Sequence, residues 1–98
     1  MLYYQSFVDN VYKEIILDSI KFEIIKHFGV ISSEKSGWNK ELNLVSWNGR
    51  NPKLDVRDWA PGHEKMGKGV TLSDAEAAQL AELLVFALAK EKELTTQP

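Results

Sequence analysis

The chain has no cysteine, only two histidines, three prolines in 98 residues and a formal net charge of −2. Without cysteine there is no disulfide framework, no zinc–thiolate site and no cysteine nucleophile. His27 and His63 have no metal-ligand spacing to one another, so no metal or cofactor is expected. No Ser-His-Asp arrangement stands out, so no catalytic residue is assigned and the sequence reads as a non-enzyme. Apolar runs stop short of transmembrane length, which argues against a membrane partner. The first residues lack the basic start, apolar centre and small-residue cleavage site of a secretory leader, so a cytoplasmic location is expected. The stretch Gly62-x-x-x-x-Gly67-Lys68-Gly69 nearly spells a phosphate loop, but Gly69 stands where a magnesium-binding Ser or Thr is required. A deficit of positive charge also counts against strong overall attraction to nucleic acid.

The distribution of charge tells a different story from its total. Residues 35–70 hold seven cations against four acids, an excess of +3, whereas residues 1–34 come to −2 and residues 71–98 to −3. All three tryptophans, Trp38, Trp47 and Trp59, fall inside the basic stretch. Flat aromatic faces among cations are what unpaired bases and phosphates require.

The order of elements follows from local pattern. Residues 1–20 carry apolar side chains at helical spacing and are expected to form an N-terminal helical extension. Lys21 to Ile31 is rich in β-branched and aromatic residues and predicts a strand, bent near Gly29. Strands at about 38–48 and 52–59 flank an Asn48-Gly49 turn. Ala60-Pro61-Gly62 opens a loop to Met66, and a short fourth strand spans Gly67 to Leu72. Ser73-Asp74-Ala75-Glu76 is a capping box that starts a helix to about Lys90. That helix is apolar around much of its circumference, so a second copy is expected to cover part of it. Residues 91–98 read as a polar tail, leaving 21–90 as the folded domain.

The facing of the hairpin depends on its loop. An even number of loop residues would put Asn43, Val45 and Trp47 with Leu54 and Val56 on the apolar, helix-facing side. Trp38, Lys40, Lys53, Arg57 and Trp59 would then share the open face. An odd loop would reverse one strand. In the blander alternative, Trp38 and Trp59 cover a sheet edge and Arg57 pairs with Asp55 or Glu41.

From Lys21 to about Leu84 the sequence resembles the positive cofactor four (PC4) transcriptional-coactivator domain, and most closely its bacterial YdbC-type members. The motifs are Lys21-Phe22-Glu23-Ile24-Ile25, Gly37-Trp38-x-Lys40-Glu41-Leu42-Asn43, Val45-Ser46-Trp47-Asn48, Pro52-Lys53-x-Asp55-Val56-Arg57-x-Trp59 and the run from His63 to Ser73. The resemblance implies an α+β fold: a four-stranded antiparallel sheet, then a C-terminal helix through which the chain forms a homodimer. It also implies single-stranded DNA binding with little sequence preference, in a bacterial cytoplasm or at the nucleoid. The matching family elements are Asp55-Val56-Arg57 with Trp59, and Lys68 in its Gly-Lys-Gly context. Residues 1–20 have no counterpart in that pattern, and the basic, serine-rich N-terminal tail of the eukaryotic members is missing. The expected nucleic-acid contacts are Trp38 and Trp59 for stacking, with Lys40, Lys53, Arg57, Lys65 and Lys68 for phosphates. A single-stranded RNA-binding or protein-interaction module in transcription is the alternative.

Overall fold

The structure, a computed structural model, describes residues 20–96. Four strands, β1 (Phe22–Ser33), β2 (Asn39–Trp47), β3 (Lys53–Trp59) and β4 (Met66–Leu72), form one antiparallel sheet in sequential order. One helix, α1 (Asp74–Thr96), follows. The α+β architecture is the expected one. The expected N-terminal helix lies outside the described residues, apart from Ile20.

The helix start is set by its capping box. Ser73 Oγ accepts from the Glu76 amide at 3.1 Å, and Glu76 Oε1 accepts from the Ser73 amide at 2.8 Å. That reciprocal pair holds the Glu76 carboxyl below its ordinary value. The helix continues past Lys90 to Thr96, into the segment read as a tail. Glu91, Lys92, Glu93 and Leu94 are good helix formers, and Lys90 pairs with Glu93 at 3.4 Å.

The β2–β3 loop reverses the expected facing. Asn48 and Gly49 both take positive φ, 51° and 73°, and the Arg50 amide donates to the Trp47 carbonyl at 2.9 Å. The turn is therefore where the sequence put it. The ladder, however, resumes at Val45 opposite Lys53, which leaves the residues from Ser46 to Pro52 between the last paired positions. Pro52 has no N–H to give to a ladder, and β3 begins one residue after it, at Lys53. The loop is thus odd, and odd-numbered residues of β2 share a face with odd-numbered residues of β3.

One face therefore carries Leu42, Leu44, Leu54, Val56 and Leu72, with Leu80 and Leu84 of α1 lining the cavity over it. The other face carries Glu41, Asn43, Val45, Trp47, Asp55, Arg57 and Trp59. Asn43, Val45 and Trp47 are not on the helix side, contrary to the even-loop expectation.

The second face is concave. Phe22 pairs with Trp47, whereas Trp59 pairs with Asn39 eight residues along β2. On a flat sheet those sites would lie roughly 27 Å apart. The Phe22 and Trp59 rings nonetheless meet at 5.2 Å. Curvature of this strength has a visible source in β1, whose pairing with β2 slips three times, leaving Ile25, Phe28 and Ile31 without register partners.

Candidate nucleic-acid interface

The sheet's coiling encloses an unusual core. Among the described residues only Val45 and Trp59 are buried hydrophobics, whereas Glu41, Asn43 and Asp55 are buried polar groups, all on the concave face. Glu41, Asn43 and Asp55 each have hydrogen-bond partners, as burial demands, whereas the buried indole nitrogens of Trp47 and Trp59 have none among the described residues.

Asp55 organises the β3–β4 side. Arg57 approaches it with Nε to Oδ1 at 3.1 Å and Nη2 to Oδ2 at 3.0 Å, a two-pronged ion pair. Thr71 Oγ1 donates to Oδ2 at 2.8 Å, and Arg57 Nη1 donates to the Gly67 carbonyl at 3.1 Å. The guanidinium lies 5.1 Å from the Trp47 ring centre. Gly69, opposite Arg57, leaves the space this needs: a Cβ there would fall 2.5 Å from Arg57 Cβ.

Glu41 organises the β1–β2 side. His63 Nε2 donates to Glu41 Oε1 at 2.8 Å, and Asn43 Nδ2 donates to the same oxygen at 3.1 Å. His27 Nδ1 lies 2.7 Å from Asn43 Oδ1 and 3.5 Å from Glu41 Oε1. Burial alone would raise the Glu41 carboxyl, but the hydrogen bonds from His63 and Asn43 and the electrostatic influence of the neighbouring His63 and His27 outweigh it and hold it below its ordinary value. His63 reaches this position from a short turn at Pro61–His63, where both Gly62 and His63 take positive φ.

Trp59 lies beneath these groups, 1% exposed, between Phe22 at 5.2 Å and the edge of His63 at 5.1 Å. It is not an open platform. Phe22, at 37% exposure, and the half-buried Trp47 form the accessible aromatic pair, 6.1 Å apart.

The family model for Transcriptional Coactivator p15 (PC4) matches residues 34–83, which covers β2, β3, β4 and the start of α1. The chain belongs to the PC4 family. An uncharacterized protein of Treponema pallidum (strain Nichols) is 44% identical to it over 70 residues, 71% of this chain and 82% of that relative. The matched segment contains Glu41, Asp55, Arg57 and His63, whereas Phe22 and His27 belong to β1, before it.

Within this PC4-family sheet the seven residues expected to bind do not share one surface. Lys53, Arg57 and Trp59 lie on the concave face. Lys40 is on the convex side, 3.9 Å from its register partner Asp58. Trp38 packs beside Gly67 and Asp58 and lines a cavity of about 250 Å³ with Glu34 and Ser36. Lys65 is exposed in the β3–β4 connection, its carbonyl accepting from the Ala60 amide at 3.0 Å. Lys68 is exposed where β4 slips against β3. Phe22, His27 and His63 are not among the contacts expected from sequence, where the histidines are set aside as metal ligands and Trp47 is assigned to the core.

Among the described residues no helix is long and apolar enough to cross a membrane. None of their His, Asp and Glu side chains form a group of three that could hold a metal ion.

Proposed function

We propose that this chain binds single-stranded DNA on the concave face, as a homodimer and with little sequence preference, in transcription or other DNA transactions of the cytoplasm. The observation that carries this is the pairing of accessible aromatics with cations on the face opposite the apolar one. Trp47 and Phe22 offer stacking surfaces at the rim, and Arg50, Lys53 and Arg57 lie on or beside that rim. Lys65 and Lys68 extend the positive track along the β3–β4 connection. Membership of the PC4 family supports single-stranded DNA and transcriptional coactivation as the field of action.

The mechanism is physical and sequence-tolerant. Bases stack on Trp47 and Phe22, each contributing on the order of 1–3 kcal/mol, since every base has a flat face. Phosphates displace counterions at the lysines and arginines, which makes affinity fall with salt. Arg57 is held by Asp55, so it offers its remaining N–H groups in a fixed direction. Trp59 supports Phe22 and His63 from below. Duplex DNA hides its base faces and gains only the phosphate part. Trp38 and Lys40, on the other side, take no part in this track.

The dimer is supported by what the single chain leaves uncovered. Val85 and Phe86 are 71% and 61% exposed, and Leu83, Leu84 and Leu88 are each more than half exposed. A soluble chain rarely presents a continuous apolar helix to water.

Tryptophan-fluorescence titration with single-stranded DNA, duplex DNA and single-stranded RNA at two salt concentrations tests the reading. Quenching by the DNA single strand, weaker binding to duplex and loss of affinity with salt are expected. Equal affinity for single and double strands, or no quenching, would sink it. A clear preference for RNA would move the site to that ligand.

A further inference from the structure

Two imidazoles converge on the buried carboxylate of the concave face from different elements, His27 from β1 and His63 from the β3–β4 connection. Their inner nitrogens are committed. His63 Nε2 donates to Glu41, and His27 Nδ1 donates to Asn43, whose own amide donates to Glu41. Their outer nitrogens, His27 Nε2 and His63 Nδ1, have no hydrogen-bond partner among the described residues. The two side chains are 47% and 39% exposed, so both rings reach the surface over which the nucleic acid would pass.

In a neutral ring each outer nitrogen is a lone-pair acceptor, which turns a phosphate oxygen away. Protonation converts each into a charged donor aimed outward, while Glu41 keeps the ring fixed through its inner nitrogen. The charge of the three-residue cluster then changes from −1 to +1. Few other charged groups act on Glu41. Arg57 is its register partner on β3 but is turned to Asp55, Thr71 of β4 is neutral, and α1 lies on the other face.

We infer that His27 and His63 are proton-dependent phosphate contacts, held in place by Glu41, so that binding of single-stranded DNA takes up protons. This rests on the concave face being the binding face. The two histidines contribute two switchable charges within a track whose other cations are permanent.

The test measures affinity for a labelled oligothymidylate, which has no group titrating in this window, at about pH 8 and about pH 5.5 and constant ionic strength. The expected gain at the lower pH is about tenfold or more, with a steeper salt dependence by up to about two counterions. The variant His27→Asn/His63→Gln places an amide nitrogen where each inner imidazole nitrogen donates, and its affinity should no longer depend on pH. In the unmodified protein, the NMR titration midpoints of both imidazoles should rise when oligothymidylate is added. Binding of equal strength at both pH values, or midpoints that do not move, overturns the inference and leaves the binding face intact. Absence of binding at both pH values overturns the binding face itself, and the inference with it.

Discussion

Along β2 the odd-numbered Glu41, Asn43 and Val45 are buried, whereas the even-numbered Leu42 and Leu44 are only half-buried. The polar face of the sheet is thus better covered than the apolar one, the inverse of an ordinary monomeric domain. The concave side is closed by the chain's own coiling, with its charges paired. The convex side and α1 still present leucine, valine and phenylalanine to solvent. The contrast teaches that the two sides are completed by different means. The concave side is complete within one chain, and its rim is the proposed binding surface. The convex side, under the proposed function, is where a second chain would complete the fold.

The strongest way to break this comparison is to remove the aromatic that closes the concave side. Trp59→Ala should cost about 3–5 kcal/mol in urea denaturation, because the ring is fully enclosed. Trp47→Ala should cost less than half of that and instead weaken binding of single-stranded DNA. If Trp47→Ala were the more destabilising change, the two faces would have been assigned the wrong way round.

On the convex side, Phe86→Glu should leave the secondary structure intact but weaken self-association by roughly 3 kcal/mol, since buried aromatics dominate such contacts. Sedimentation at several concentrations reads this directly. An unmodified chain that stays monomeric throughout would remove the proposed partner from the comparison.

A smaller effect concerns Glu41. Glu41→Gln should cost about 1–3 kcal/mol near neutral pH, through loss of the charged acceptor for His63 and Asn43. The carboxyl is held below its ordinary value of 4.5 in the folded chain. Its contribution is therefore fully present above that value and is lost as pH falls through the lower, folded one. The unmodified protein should lose its advantage over Glu41→Gln below pH 4.5 in thermal melts. A gap that stays constant through acid would mean that the ionised carboxylate is not what stabilises the concave side.

The smallest test separates the faces by charge alone. Lys53→Ala should lower the salt slope of DNA binding by about one counterion, while Lys40→Ala, engaged with Asp58 on the convex side, should leave it unchanged.

What the sequence made legible was local. The strand positions, the Asn48-Gly49 turn and the Ser73–Glu76 capping box are each written in a few adjacent residues, and each stands within a residue or two of its expected place. Facing was not legible with the same security, because it turned on a single residue. Pro52 was visible, but whether it belongs to the loop or to the ladder is decided by the whole hairpin. Burial of Trp59 was further out of reach. It follows from the coiling of the sheet, which follows from three slips in a neighbouring strand. Glu41, His27 and His63 come together for the same reason, from positions 14 and 22 residues from the carboxylate. No pattern at that separation distinguishes them from three unrelated polar residues. The PC4 resemblance supplied the order of elements without the side on which each aromatic lies.

Among the described residues β1 is an edge strand, and it exposes Ile25, Phe28, Val30 and Ile31. A straight strand of that composition would be a template for indefinite edge-to-edge stacking. The slips that curl the sheet also break the even spacing of β1's outward N–H and C=O groups, so a second β1 cannot run alongside it in register. The irregularity that shapes the concave face therefore also protects the chain against fibrous aggregation.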